Sequence, residues 1–525
     1  MATTYLSPGV YVEEVDRGTK PIQGVGTSIA AFVGVTEEAS IKRVNRKTGA
    51  SEIVESRLNK PTLITSWTNY TSVFGDFAPG AYMPHAVYGY FANGGGPCYI
   101  TSIRAISDVS EGATAATVDV PANTKGNSFV VTATIVGDVG NNLSITITHD
   151  ATDEGKDATS FSMTVGDETQ SGLVMKKSDD NFVGKATFRA VSLSLFGAAS
   201  AMPNEGTFLL SGGGLPKLTE QDFIGSAAER TGIAGMEAID DVRLVTCPDL
   251  MASYDGSEES KTLVRSVQQA MVAHCERMRY RFAILDTPPG LNVQEVQDWQ
   301  NYLNVDSSYA AMYYPWVEIP DLAEGGTILV PPSGVMAGIY NRTDSDRGIH
   351  KAPANETVLG VVSLENEISR NEQALLNPRG INCIRSFAGR GIRVWGARTL
   401  SSDGSWRYIN VRRLFIHVAA SLDTGLQWVV FEPNNDALWA KVRRDVTAFL
   451  RSIWGSGALF GQSESQAFYV KCDAELNSPE VIDLGQLIVE VGIAPVKPAE
   501  FVIFRLSQWA GGGEGGGEDD GGGEE

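Results

Sequence analysis

The sequence predicts a multidomain core of the α/β and α+β classes, an inserted all-β domain, and extended arms at both ends. Three observations support this fold class. Residues 216–380 alternate between short apolar strands and amphipathic helices, which is typical of a parallel sheet covered by helices. Residues 110–215 contain alternating runs rich in Ser, Thr and Val, separated by turn-forming residues. The two terminal segments have strand-like composition but no local pairing partner.

Length and composition agree with several domains. The chain has 525 residues, 42% hydrophobic and 20% charged, enough for two to four domains with ample core. No run approaches the roughly 18 apolar residues of a membrane span. The first residues lack the basic region and apolar core of a secretory signal, so we expect cytoplasmic assembly. The five cysteines are widely spaced in apolar surroundings and are expected to be buried free thiols.

The first 20 residues are predicted to form an extended arm. Pro8 and Gly9 precede a β-branched and aromatic run, in which the candidate pairing residues are Val10, Tyr11, Val12 and Val15. The chain then turns through Pro21 and two glycines, so nothing nearby can pair with this run. A terminal strand of this kind either frays or pairs with another element, including one from another chain.

Residues 21–109 are predicted to be the first part of the core. They contain two short strands, Ala30–Val35 and Cys98–Ile103, and a helix around His85–Ala92. Three glycines and Pro97 follow this helix and end it. The all-β region 110–215 then interrupts the core, and we expect it to be an outward-facing insertion.

Residues 216–380 form the predicted α/β domain, and residues 381–510 the predicted C-terminal α+β domain. The α/β strands are Arg243–Cys247, Arg281–Leu285 and Tyr309–Tyr314, with helical periodicity at 263–278 and 293–303. The clearest C-terminal helix is Ala437–Trp454, with Asn434 or Asn435 as its cap. A last strand, Glu500–Ser507, precedes a Gly/Glu/Asp tail at 511–525 that is expected to be disordered.

Two aspartates offer the best case for an enzyme. Asp249 and Asp286 each follow a strand of the α/β domain, where ligands bind in open α/β sheets. Both also sit beside prolines at strand exits, and this favours turn capping over catalysis. The five histidines are scattered, and no metal or phosphate-binding spacing occurs, so no cofactor or metal is expected. A polysaccharide-active enzyme using the two aspartates remains the alternative from another class.

A basic block lies in an otherwise acidic chain. The net charge is −21, which disfavours nucleic-acid binding, yet residues 379–413 hold eight arginines against the single acid Asp403. Aromatic residues are interleaved with these arginines, a composition typical of protein interfaces and also of single-strand nucleic-acid grooves. The charge favours a protein interface, with internal salt bridges as an equal alternative for several of them. The candidate interface or core arginines are Arg385, Arg390, Arg393, Arg398, Arg412 and Arg413.

Several segments resemble the contractile tail sheath family of phages and contractile injection systems. The opening SPGVYVEEVDRG is similar to the family's N-terminal arm, and GTSIAAFVG to its first strand. The segments VPPSGVMAGIYNRTDSDRGIHKAPAN and NPRGINCIRSFAGRGIRVWGARTL carry the resemblance through the core. RYINVRRLF and QWVVFEPNN extend it into the C-terminal domain. The β insertion and the acidic tail are not constant in the family.

The resemblance implies a mechanical function without a cofactor. Subunits would stack as helically related rings around an inner tube, and contraction would drive the tube through a target envelope. The N-terminal arm and a C-terminal strand would add to a neighbour's sheet, and here Phe501, Val502, Ile503 and Phe504 are the C-terminal candidates. The implied partners are further copies of the chain, the tube protein, and baseplate and cap proteins, without nucleic acid or membrane insertion. A non-contractile tube or capsid component is the nearest alternative.

The polar face of the predicted helix 437–454 is a candidate contact with the inner tube. It carries Lys441, Arg443, Arg444 and Arg451. An electrostatic contact of this kind is weak for each residue and easily released. A solvated helix face is the equal alternative.

Overall fold

The computed structural model describes residues 22–44, 51–108, 113–124, 126–150, 159–195, 201–323 and 325–505. The predicted N-terminal arm, with Val10, Tyr11, Val12 and Val15, lies outside the described residues. So do the last two residues of the predicted strand Glu500–Ser507 and the acidic tail at 511–525.

The first segment forms five strands and two helices. Their bounds are β1 (Ala30–Thr36), β2 (Ser40–Val44), β3 (Ser51–Ser56), β4 (Thr62–Ile64), α1 (Trp67–Phe74), α2 (Met83–Ala92) and β5 (Cys98–Ala105). All seven residues of β1 are buried, as expected for a central strand covered on both faces. Helix α2 ends at Asn93, followed by Gly94 at a φ of 92°, a conformation that favours glycine.

Residues 115–209 contain seven strands and no α-helix within the described part of this region. The strands are β6 (Ala115–Pro121), β7 (Asn127–Val136), β8 (Ser144–His149), β9 (Phe161–Val165), β10 (Glu168–Leu173), β11 (Val191–Leu195) and β12 (Gly206–Leu209). They form a three-stranded sheet, β11-β7-β6, and a four-stranded sheet, β10-β9-β8-β12. Phe129 of one sheet and Phe161 of the other stack at 6.3 Å between ring centroids inside a separate apolar core.

The third segment alternates strands and helices. Its elements are α3 (Glu220–Ile224), β13 (Leu244–Thr246), α4 (Glu258–Met278), β14 (Phe282–Asp286), α5 (Val293–Leu303), β15 (Ala310–Tyr314), β16 (Val317–Pro320), β17 (Thr327–Val330), α6 (Ser333–Arg347), β18 (Ser363–Leu364), α7 (Arg370–Leu376), β19 (Ile381–Phe387) and β20 (Gly391–Val394). Strands β16, β17 and β18 form a small antiparallel sheet.

An eight-stranded sheet joins the first and third segments. Its order is β20-β19-β15-β14-β13-β1-β5-β4, with six parallel strands between antiparallel strands at both edges. Strands β13 and β5 lie on opposite sides of β1, so the topology switches direction there. Alternate residues of β1 face two different cores, with Phe32 on the side of α2 and α6 and Val33 on the side of α4 and α5.

Helices α2 and α6 pack closely on one face of this sheet. A Cβ atom at Gly334 would lie 2.4 Å from the carbonyl oxygen of Ala86, and one at Gly338 would lie 2.4 Å from that of Tyr90. Glycine is therefore required at both positions of α6 for this approach, because any side chain would push the helices apart.

The last segment is α+β. It contains α8 (Ile409–Gly425), α9 (Asp436–Gly455), α10 (Glu464–Ala467), β21 (Phe468–Lys471), α11 (Pro479–Asp483) and β22 (Glu490–Ile493). Helix α9 buries Val442, Val446 and Phe449 against α8 and the hairpin of β21 and β22. Its cap is Asn435, the second of the two predicted candidates, whose Oδ1 accepts a hydrogen bond of 3.0 Å from the Leu438 amide.

The predicted mixed α/β and multidomain character is confirmed, but one boundary differs. Strand β19 pairs in parallel with β15, and β20 continues the same sheet. The boundary expected between residues 380 and 381 therefore falls inside the eight-stranded sheet. Composition could not reveal this, because the arginines that begin at 379 suggested a new domain while the strand still belongs to the old one.

Candidate subunit interface

Asp249 lies at the switch point of the eight-stranded sheet, where an open α/β fold would place a ligand. Its Oδ2 accepts a 2.6 Å hydrogen bond from the Val35 amide, and its Oδ1 accepts from the amides of Tyr82 and Met83. The side chain is fully buried, and burial raises its pKa to about 7 against the lowering effect of these hydrogen bonds. A Cβ at Gly34 would lie 2.2 Å from Oδ2, so the carboxylate fills the space beside β1.

Asp286 has the same role at the end of the neighbouring strand β14. Its two oxygens accept hydrogen bonds from the amide and hydroxyl of Ser333, at 2.8 and 2.6 Å. Burial raises its pKa to about 7. Helices α2 and α6 have no side-chain cap of their own, and each receives one of these aspartates at its N-terminus. Both side chains thus hold the N-termini of helices distant in sequence and not the local strand-exit turns that the prediction expected, and both oxygens of each carboxylate accept hydrogen bonds within the chain.

The other potentially reactive groups are also enclosed. The five cysteines are buried and unbridged, as predicted. His274 accepts a 2.6 Å hydrogen bond from Arg281 at its Nε2, and burial together with this arginine lowers its pKa to about 3. Among the residues described, no three His, Cys, Asp or Glu side chains come together as metal ligands would. No helix described is long and apolar enough to cross a membrane.

Arg413 of the basic block lies inside the molecule. It donates to both oxygens of Asp344, at 2.9 and 2.6 Å, and the two side chains are 2% and 4% exposed. Its Nη2 also donates to the carbonyl of Thr27, and the guanidinium lies 4.7 Å from the ring centroid of Tyr340. This pair joins α8 to α6.

Arg398 is also engaged within the chain, and it reaches the C-terminal segment. Its Nε and Nη2 donate to the carboxylate of Glu500 at 2.9 and 2.7 Å. Arg385 donates to the carbonyl of Ile368 and to the side chain of Gln373, at 2.8 and 2.9 Å. These two arginines link loops to the edge of the central sheet.

The remaining three arginines of the candidate set stack on aromatic rings or contact backbone. The guanidinium of Arg412 lies 3.6 Å from the ring centroid of Trp406, and that of Arg390 lies 4.6 Å from Phe387. Arg393 donates to the Asn355 carbonyl at 2.9 Å. Arg390 is exposed, whereas Arg393 and Arg412 are half-buried, so the block divides into internal contacts and a small surface group.

Most of the basic side chains on the polar face of α9 already have partners within the chain. Arg443 donates to the Cys472 carbonyl, Arg444 pairs with Asp445 at 3.0 Å, and Arg451 pairs with Glu464 at 2.9 Å. Lys441 is exposed and forms no ion pair with the part of the chain that the structure describes. The guanidinium-bearing side chains of Arg444 and Arg451 remain 55% and 58% exposed, so this face still presents positive charge.

The C-terminal segment presents four consecutive apolar side chains to solvent. Phe501, Val502, Ile503 and Phe504 are 69–84% exposed and belong to no strand of the described sheets. The hairpin of β21 and β22 is nearby in sequence and pairs with no third strand among those described. Phe431 and Phe460 of the same domain are also exposed. Apolar surface of this extent on a folded subunit is typical of a contact with another chain.

Sequence reasoning missed the acidic partners Glu500 and Asp344. The sequence patterns place Glu500 only at the start of a predicted strand, and none of them points to Asp344. A chain with eight arginines in one block needs carboxylates somewhere, but no local pattern tells which distant acids they are. The fold and these surfaces are typical of a structural subunit that functions through contacts with other chains.

Comparison with protein families gives the same class. Residues 227–400 match the central domain of phage tail sheath proteins, and residues 401–508 match the phage tail sheath C-terminal domain. The two matches are contiguous and cover more than half of the 525 residues. The chain belongs to the phage tail sheath family, whose members are structural proteins and not enzymes.

Individual proteins extend the similarity. A putative prophage major tail sheath protein of Pseudomonas aeruginosa is 27% identical over 296 residues, which are 54% of this chain and 72% of that one. The fold resembles the contracted helical sheath of the anti-feeding prophage, with a TM-score of 0.57, 24% identity, and coverage of 96% of this chain and all of that one. It also resembles the contracted sheath of the extracellular contractile injection system PVC, with a TM-score of 0.56, 24% identity, and coverage of 97% and 99%.

Proposed function

We propose that this chain is the subunit of a contractile sheath, which polymerises helically around an inner tube and contracts to drive the tube through a target envelope. The observation that carries this proposal is the uninterrupted family match from 227 to 508. The similarity in fold to contracted sheaths extends over nearly the whole chain and supports it. The two buried aspartates, each committed to a helix N-terminus, leave the enzyme alternative without a reaction centre in the described residues.

Strand exchange between subunits is the proposed linkage. The donors are the N-terminal arm, with Val10, Tyr11, Val12 and Val15, and the C-terminal strand from Phe501 to Phe504. The acceptor proposed for them is the antiparallel pair of β21 and β22, which lies in the same domain as the C-terminal strand and pairs with no third strand among those described.

The energetics favour a weak single link. Burying even half of the four exposed C-terminal side chains contributes about 3–6 kcal/mol. Ordering about five residues costs on the order of 5–10 kcal/mol, and each main-chain hydrogen bond returns about 0.5–1.5 kcal/mol. One arm is therefore nearly balanced, and only the repetition of arms through a lattice makes the linkage firm. A link of this kind can rotate during contraction without separating the subunits.

The basic face of α9 is the proposed contact with the inner tube. Lys441 and the exposed parts of Arg444 and Arg451 supply the positive charge, whereas Arg443 is held by the Cys472 carbonyl. The triple variant K441E/R443E/R444E should not form extended sheaths on the tube. K176E/K177E, which reverses two exposed lysines of the β module, is the matched control and should assemble. Normal extended particles from the triple variant would contradict this contact.

The β module is proposed to be an outward-facing insertion that takes no part in the lattice core. It has its own apolar core, and it lies outside both family matches. The other domains proposed are the core, from 21–109 together with 216–400, which includes β19 and β20 of the eight-stranded sheet, and the C-terminal domain to residue 510. The proposed partners besides further copies of the chain are the tube, baseplate and cap proteins, with assembly in the cytoplasm into a phage tail or tail-like particle.

Electron microscopy of the purified protein, alone and co-expressed with its tube and baseplate proteins, tests the proposal. We expect hollow helical tubes that become shorter and wider after acid or denaturant shock. Tubes of one fixed length and width under every condition would indicate the static alternative. Discrete globular particles, even with tube and baseplate present, would overturn the assembly function.

A further inference from the structure

At Glu500 the C-terminal segment changes from residues hydrogen-bonded to the body to residues exposed to solvent. Before it, the Phe460 amide donates to the Ala494 carbonyl at 2.8 Å, and Asn410 donates to the Val496 carbonyl at 3.1 Å. Immediately after it come the four exposed apolar residues 501–504. Among the residues that the structure describes, Glu500 is thus the last of the C-terminal segment that several side chains of the body hold.

The Glu500 carboxylate is fully used by donors from three other segments. Its Oε1 accepts from Arg398 Nε at 2.9 Å and from Asn377 Nδ2 at 2.5 Å. Its Oε2 accepts from Arg398 Nη2 at 2.7 Å and from the Tyr408 hydroxyl at 3.1 Å. We call Glu500 with Arg398, Asn377 and Tyr408 the Glu500 clamp. A bidentate arginine–carboxylate pair with two further donors fixes both the position and the orientation of the acid.

The receiving side of the clamp is built independently of Glu500. Asn382, buried on β19, accepts from the Arg398 amide at 2.7 Å and donates to its carbonyl at 2.8 Å. The Asn377 carbonyl accepts from Arg398 Nη1 at 3.2 Å, so the guanidinium is oriented before the acid arrives. Burial alone would raise the pKa of Glu500, but the hydrogen bonds from Arg398 and Asn377 outweigh it and lower the pKa. The acid is therefore charged when it is bound.

We infer that the Glu500 clamp is the anchor of the C-terminal arm, and that it transmits the pull of an exchanged strand to the eight-stranded sheet through Arg398 and β19. This inference rests on the proposed strand exchange. Without the clamp, the pull would reach the body only through β22 and the hydrogen bonds that residues 494–496 make with Asn410 and with the segment 458–467, and none of these leads directly to the eight-stranded sheet. Glu500 is a positioning residue here, because the arm and not the acid contacts the neighbour.

An ordinary bridge between two domains is the competing explanation, and it makes a different prediction. A bridge that only stabilises the fold would lower the melting temperature of the free subunit when it is removed. Removal of an anchor would instead make the segment before the arm more mobile and would impair polymerisation. The test therefore compares E500A and E500Q with E464A, which removes the exposed ion pair with Arg451 in the same domain.

The first readout is hydrogen exchange in the free subunit. We expect at least tenfold faster exchange of a peptide covering 494–500 in E500A, with the exchange of the rest of the chain unchanged. In E464A the exchange of this peptide should equal that of wild type. Unchanged exchange at 494–500 in E500A would overturn the inference, and so would a drop in melting temperature that accounts for the whole effect.

The second readout is assembly with tube and baseplate, counted by electron microscopy. E500A should lower the yield of intact sheaths at least tenfold, because each sheath contains many such links. E464A should assemble as wild type does, and the exchanged pair R398E/E500R should recover part of the loss. Normal sheaths from E500A would overturn the anchor and leave the proposed function intact. Failure of wild-type protein to form tubes would overturn the proposed function and this inference with it.

Discussion

Removing one partner of the buried pair of Arg413 and Asp344 should destabilise the core far more than breaking an exposed ion pair. Both side chains are almost completely enclosed, at 2% and 4% exposure, and they meet through two hydrogen bonds. Removing one partner of a buried pair leaves an uncompensated charge and costs about 3–5 kcal/mol. We therefore expect D344L and R413M each to lower the free energy of unfolding by about that amount.

The double variant separates the pair from its surroundings. When both charges are replaced by apolar groups of similar volume, no charge is left unpaired, and such replacements are neutral or even stabilising in other proteins. D344L/R413M should therefore lose less stability than either single change. The coupling between the two positions should be at least about 3 kcal/mol, because each single change removes the same interaction.

Urea denaturation followed by far-ultraviolet circular dichroism and tryptophan fluorescence measures these values. The control is E464A, since Glu464 forms an exposed pair with Arg451 at 39% and 58% exposure. Exposed pairs contribute about 0–1 kcal/mol, so the control midpoint should hardly move. Additive losses in the double variant, or single losses no larger than that of the control, would refute the reasoning.

Three further changes test other parts of the core. D249A leaves the amides of Val35, Tyr82 and Met83 without their acceptor and should cost about 3–5 kcal/mol in urea denaturation, and a loss below 1 kcal/mol would contradict its role. N435A removes the cap of α9 and should cost about 1 kcal/mol by the same measurement, whereas N435D should retain most of the stability. His274 has a pKa of about 3 in the folded chain, so only the unfolded chain binds a proton at this histidine as the pH falls below about 6.5. The free energy of unfolding should therefore decrease on acidification, by about 2 kcal/mol by pH 5. H274Q should show a shallower dependence of unfolding free energy on pH over this range, and an unchanged slope would contradict the assignment.

Local patterns predicted the elements of the core well because their periodicity is set by burial. The predicted helix over 293–303 has the bounds of α5, and the predicted strand Ala30–Val35 differs from β1 by one residue. The cap at Asn435 was also visible, because an asparagine before an amphipathic run offers its side-chain oxygen to the first free amides. These features depend on neighbours within a few residues.

Partners distant in sequence could not be predicted in the same way. Arg413 pairs with an acid 69 positions earlier, and Arg398 with one 102 positions later. Which arginine of the block is buried depends on the crossing of α6 and α8 and on the path of the segment 494–500. Composition alone left interface contacts and internal salt bridges equally open for these residues.

Three arginine–carboxylate pairs of this chain differ in burial, and their burial suits the separate demands on a contracting sheath. A subunit that repacks as a rigid body needs a stable interior. The pair of Arg413 and Asp344 joins α6 to α8 at a buried position, where solvent and salt do not screen it. Arg398 with Glu500 lies at the boundary, partly buried, where the body ends and four unpaired apolar residues begin. Arg451 with Glu464 is exposed and screened, so its loss should alter neither the body nor its links. In the proposed sheath, a link between subunits must rotate while the body of each subunit stays intact. The strong interactions therefore belong inside the subunit, and the reversible ones belong beyond Glu500, where the exposed apolar segment lies.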